Sequence, residues 1–192
     1  ALQNSVIEWS CNHRLHHRDC ETRSDPYNAK LGFWHSHILW IFTTTETIED
    51  AKKTIDVSDL QSNILCTLQD RYYSLTALMG WVIPLFFGKV FGFTWLVLLT
   101  SSVVRTIAVW HATFCVNSLA HMWGHRPYNT KIGAVQNFFV SFITMGEGWH
   151  NYHHSFPRDY RASHTNSNIR FCNMSSIFIN LLFRLGLIWN LQ

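Results

Sequence analysis

The stretch Gly146-Glu147-Gly148-Trp149-His150-Asn151-Tyr152-His153-His154 holds three histidines at i, i+3 and i+4, a spacing that one helical turn gathers onto a single face. Such a face can grip a metal. Imidazole is the commonest metal-binding side chain, neutral near pH 7 and suited to iron, copper, nickel or zinc. Gly146 and Gly148 interrupt any helix arriving from the apolar residues before them, and Pro157 stops one leaving, so a short, bounded turn is expected. The same spacing recurs in His13-Arg14-Leu15-His16-His17, and Asn117-Ser118-Leu119-Ala120-His121 adds an Asn and a His four apart on one helical face. One such box alone is compatible with a solvated or internally satisfied cluster; its recurrence favours metal. The seven candidate ligands, His13, His16, His17, His121, His150, His153 and His154, exceed what one zinc needs and point to two ions. With no ligand Cys and no obvious carboxylate, iron that activates oxygen fits better than a closed structural site, while softness alone leaves zinc and copper open.

These boxes lie far apart in the chain and must be brought to one place. Of the 192 residues, 47% are hydrophobic and only 14% charged, against about 25% charged in soluble proteins, and the deficit points towards lipid. A net charge of +3, dispersed and without a dense basic run, gives no case for a nucleic-acid partner. Between residues 72 and 104 the only charge is Lys89. A single crossing there would put the two HxxHH boxes on opposite sides of a bilayer, so the chemistry calls for a hairpin, residues 72–88 and 91–110, turning at 88–92. Arg71, Arg105, Lys52, Lys53 and Arg126 then collect on the cytosolic side. The expected fold is all-α and a single domain, with the metal site in a cytosolic helical cap; the alternative is a buried soluble hairpin.

Around that hairpin, residues 2–17 are expected to be helical and 31–42 to lie at the membrane interface, with His35 and His37 as packing residues. Residues 43–60 are read as a polar loop, 107–121 as a continuing helix, 124–128 as a turn beside a structural His125, 135–145 as a surface helix, and 175–191 as an interfacial or capping helix. Cys11, Cys20, Cys66, Cys115 and Cys172 form no CxxC pair and read as reduced thiols.

HRLHH, NSLAH, GHRPYN and above all GEGWHNYHHSFPRDYRAS, with Glu21-Thr22, Asp25-Pro26, Asn28-Ala29, Gly32-Phe33, Ser36-His37 and residues 55–60, resemble the membrane fatty acyl-CoA desaturases of the stearoyl-CoA (delta-9) type. The likeness runs from Gln3 to about Ser163. It implies two irons held by the seven histidines, with Asn117 acting through a water, and an acyl tunnel lined by Gln3, Trp9, Thr113 and Phe114, with Asn4 contacting CoA. It implies an oxidoreductase that inserts a cis double bond into a saturated fatty acyl-CoA, using O2 and electrons from cytochrome b5, in the endoplasmic reticulum membrane with its catalytic face cytosolic.

The sequence also departs from that pattern. Cys11-Asn12 stands where the family has Arg-Asp, Thr43, Thr44 and Thr45 replace a basic pair, and Phe114 replaces a Trp; these changes remove groups that would meet CoA phosphates or the acyl carbonyl. The family's first box, H-x-x-x-x-H, and its first two spans would precede Ala1, so residues 1–192 are expected to be a fragment that is inactive by itself. A histidine-box lipid hydroxylase and a silent desaturase-like membrane protein remain the competing readings.

Overall fold

The computed structural model describes residues 2–163 and 173–191; Cys172 lies outside them. Every regular element among the described residues is helical, joined by two isolated bridges, His125 to Gln136 and Gln136 to Trp149.

The first box rides on α1, Val6–Asp19. It starts later than expected because Asn4 has φ 68°, outside helical space, and Ser5 caps the helix by accepting from the Glu8 N–H. Ser5 Oγ in turn donates to Asp70, and Gln69 Oε1 accepts from Val6 N at 2.9 Å. Both partners sit on α5, Ile64–Arg71, which leads into the apolar hairpin, so the hairpin and the first box are tied at one point.

The polar loop expected over 43–60 is instead mostly helical: α3 spans Glu46–Lys52 and α4 Ser58–Gln61. Thr45 caps α3 by accepting from Ile48 N, and Glu46 and Glu49 occupy its first turn, favourable at the positive end of a helix dipole. Polarity here marks a helix strapped across α1 from outside. Lys52 reaches Glu8 at 2.7 Å, and Arg14 grips Asp59 through two bonds of 2.8 and 2.7 Å. Between these segments lie α2, Phe33–His37, and a 3-10 turn, Leu39–Phe42, which exposes Leu39, Ile41 and Phe42.

The hairpin is α6, Tyr73–Val90, and α7, Trp95–Asn117. Its turn includes Gly92, with φ 86°, inside the expected 88–92, and runs on to Thr94, which caps α7. Both helices are long and apolar enough to cross a membrane, and none of the 18 residues of α6 is buried. A core hairpin of a soluble protein would be apolar inward, and α6 packs no such buried face among the described residues. Arg105, expected with the basic residues at the helix ends, lies instead midway along α7 and donates to Gly80 O at 3.2 Å.

The helix expected to run on to His121 breaks at Ser118 (ψ −71°), and α8, Leu119–Met122, begins anew. Ser118 Oγ and its N–H both bond the Phe114 carbonyl, at 2.8 and 3.0 Å, the local competition by which a serine ends a helix. Val135 N then binds Ala120 O at 2.7 Å and draws α8 aside. Asn117 and His121 therefore share no continuous helical face. The surface helix expected over 135–145 shortens to α9, Phe138–Ile143, because Gln136 pairs with His125 and Asn137 caps the helix. The last box forms α10, His150–Ser155, and the tail forms α11, Met174–Arg184, with Ile177, Phe178, Leu181 and Phe183 exposed.

Candidate metal centre

Alpha1, α8 and α10 bring all seven histidines together in two groups: His16, His121, His150 and His154, and His13, His17 and His153. In the first, Nε2 of His121 lies 3.2 Å from that of His16 and 3.0 Å from that of His150, and His154 Nε2 lies 3.0 Å from His150 Nε2. In the second, the three Nε2 atoms form a triangle of 3.3, 3.1 and 2.9 Å.

Protons cannot satisfy that triangle. A neutral imidazole offers one N–H and one lone pair, so three mutually touching Nε2 atoms would force lone pairs or protons against each other. A cation at the centre removes the conflict. Metal–imidazole bonds of about 2.0–2.1 Å set neighbouring nitrogens roughly 2.9 Å apart in an octahedron and about 3.3 Å apart in a tetrahedron, the spacings seen here. The residues present thus fit metal ions.

The cluster's own chemistry keeps it ready. Burial, followed by repulsion from neighbouring imidazoles, lowers His13 to about 3, His17 to about 2 and His153 to about 4. The same causes push His150 and His154 far down, and burial lowers His121. Their lone pairs are therefore free at neutral pH, as ligation requires. Trp9 stacks on His13 with centroids 4.7 Å apart and planes 16° apart, shielding that edge.

The carboxylates that orient the ring sit where box spacing gives no hint. Asp25, fully buried, accepts from His16 Nδ1 at 2.8 Å and from the N–H groups of Glu21 and Tyr27 at 2.7 and 2.9 Å. Burial alone would raise its pKa, but these bonds outweigh burial and hold it below the usual range. As an acceptor it fixes the proton on His16 Nδ1 and leaves Nε2 facing the cluster. Glu21 Oε1 stands 3.6 Å from His121 Nδ1, an electrostatic approach longer than a hydrogen bond. Cys20, against the backs of His16 and His121, is kept protonated by burial. Asp25→Asn is expected to weaken metal binding about 10- to 100-fold, read by chelator competition; affinity within about twofold of the parent would remove Asp25 from this role.

Asn151, inside the last box but facing away from it, is also missed by spacing. Its amide donates to the carbonyls of Asn129 and Ala134 at 2.8 and 2.9 Å and accepts from the N–H groups of Tyr128 and Asn129 at 3.0 and 3.2 Å. Gly148, just before the box, leaves no room for a side chain: a Cβ there would lie 2.0 Å from Ser141 N. The loop thereby lies flat on α9 and aims α10 at α1.

The remaining candidates take varied places. Phe114 is buried edge-on to His37, Trp40 and His111, and Thr113 bonds its own helix at Val109 O, 3.1 Å. Gln3 Nε2 is buried without a partner; the Asn4 N–H meets the Tyr73 hydroxyl at 3.1 Å. Asn117 ends α7, half-buried. Cys11 and Asn12 turn to Lys52 O and Glu8, not to the cluster. His37 packs on Phe33 as expected, but it also bonds Ser118 Oγ at 3.0 Å and His111 Nδ1 at 3.1 Å. His125 belongs to neither histidine group.

The sequence pattern of the fatty acid desaturases matches residues 1–178. Among curated proteins, an acyl-CoA Delta12-desaturase of Acheta domesticus is 40% identical over 100% of this chain and 54% of its own length. The stearoyl-CoA desaturase of Homo sapiens is 39% identical over 99% and 53%, and an acyl-CoA Delta(11) desaturase of Trichoplusia ni is 38% identical over 100% and 55%. The chain spans about half the length of the curated relatives it matches.

Proposed function

Since the chain belongs to the fatty acid desaturase family, we propose that it carries most of the catalytic centre of a membrane acyl-CoA desaturase, acting at the delta-9 position. The observation that carries this reading is the convergence of seven imidazoles into two groups at metal-ligand spacing. His16, His121, His150 and His154 would hold one iron and His13, His17 and His153 the other, with Asn117 contributing through a water. Iron, when bound, supplies the oxygen chemistry that removes unactivated hydrogens, beyond the reach of any side-chain acid or base.

The balance of the reaction sets what the protein must manage. Forming one C=C bond takes two hydrogens, hence two electrons and two protons, from the chain; two more of each complete the reduction of O2 to two waters. Those electrons come, on this reading, from cytochrome b5. This chain's own residues orient and exclude water. Asp25 fixes the His16 tautomer, Trp9 covers His13, and Phe114, an apolar ring where the family pattern has an indole, would wall the acyl chain without donating to its carbonyl. Gln3 and Thr113 would line the same tunnel, and Asn4 would meet the CoA moiety. Alpha6 and α7 would cross the endoplasmic reticulum membrane and return the chain to the cytosolic face.

The test is to express the full-length protein in a desaturase-deficient yeast and analyse its lipids by gas chromatography. New cis-monounsaturated acyl chains, with the double bond at carbon 9, are expected. A hydroxylated chain or no product would sink the desaturase reading, and a bond at another carbon would correct the position. A glycosylation acceptor in the Gly92 turn, but none beside α10, should be modified if the topology holds.

A further inference from the structure

Two features of the apolar hairpin are costly taken singly. Pro84 lies inside α6; having no N–H, it leaves the carbonyl four residues earlier, that of Gly80, without its helical donor. Arg105 lies midway along α7, where a guanidinium among apolar helices is unfavourable in lipid unless it finds an acceptor. The structure joins them, with Arg105 Nη2 donating to Gly80 O at 3.2 Å. The cation supplies the hydrogen bond that the proline deleted.

We propose that Arg105 is a positioning residue that locks α7 in register against α6 by standing in for the missing Pro84 N–H. A helical ladder can slide past its neighbour by exchanging side-chain contacts, whereas a carbonyl left open at one height accepts a donor at one height only. Thr113 and Phe114 lie about two turns, roughly 12 Å, further along the same helix, so a register set at Arg105 is delivered to them. The contact within the hairpin is independent of the reaction proposed above; its effect on turnover rests on that reading.

The test is a double-mutant cycle on the full-length protein in lipid nanodiscs: the parent, Arg105→Met, Pro84→Ala, and both together. Arg105→Met is expected to lower the thermal midpoint by about 4 °C or more, since it leaves the Gly80 carbonyl unpaired. Pro84→Ala restores the helical donor, so in that background the same change should cost less than half as much. Turnover should fall about fivefold or more in Arg105→Met and recover in the double variant. Additive midpoints would overturn the proposal, because the guanidinium would then act on something other than Gly80. Coupled midpoints with unchanged turnover would overturn the positioning role. If Arg105→Met does not accumulate, its rescue by Pro84→Ala carries the same prediction, and failure of that rescue refutes it. The midpoints need no catalysis, so this result reads separately from the yeast assay.

Discussion

His121→Ala is expected to cost the full-length protein roughly half of its bound metal and to lower desaturation by more than about 100-fold, while His125→Ala leaves both near the parent values. The two residues are four apart and equally plausible as isolated imidazoles. Their surroundings differ. His121 is 4% exposed, and its Nε2 stands between those of His16 and His150 at 3.2 and 3.0 Å. Among the seven candidate ligands it is the one delivered from the end of the hairpin rather than from an HxxHH turn. His125 contributes its backbone to Gln136 and belongs to neither histidine group. Metal analysis of the purified variants settles the matter: equal retention by both would withdraw His121 from the ligand set.

The second large effect is expected at a residue that touches no metal. Asn151→Ala removes two donors and one acceptor that together serve four backbone groups around Asn129 and Ala134. Asn151 is completely buried, and each buried polar group left unpaired costs about 1–3 kcal/mol. A loss of about 3 kcal/mol or more is expected, a large share of a typical domain's 5–15 kcal/mol, and the last histidine box should lose its metal with it. Asn151→Asp discriminates further. A carboxylate can still accept from the two N–H groups, but it faces the two carbonyls with no proton to give. Both variants should lose thermal stability and metal in parallel; an Asp variant that keeps both would show that shape, not hydrogen bonding, is what Asn151 supplies.

The histidine cluster is legible in the residues because its signals are local. The spacing His13-x-x-His16-His17, repeated in the last box, fixes which imidazoles share a face, and the structure gathers all seven. The long apolar run interrupted at Lys89 points to the hairpin, and its turn includes Gly92, inside the expected 88–92. What spacing could not give depends on contacts between distant segments. Asp25 matters through His16, nine residues away, and Asn151 through a loop more than fifteen residues away. The polar, threonine-rich character of residues 43–60 points to a loop, whereas Thr45 followed by Glu46 and Glu49 is a helix start. Position in the chain groups Arg105 with the basic residues at the helix ends; only its partner in α6 shows how a charge is accommodated midway along α7.

The break at Ser118 has a mechanical consequence. On the proposed topology α7 would answer to the thickness of its surroundings, since an apolar helix adjusts to a thinner or thicker bilayer by tilting. A rigid continuation to His121 would transmit every degree of that tilt to a cluster whose nitrogens sit 3.0–3.2 Å apart. The ladder stops at Asn117 instead, and the short α8 takes its bearing from the Val135 N–H on Ala120 O. On that topology Ser118 would work as a universal joint, letting the hairpin lean with the lipid while the imidazole cage keeps its shape.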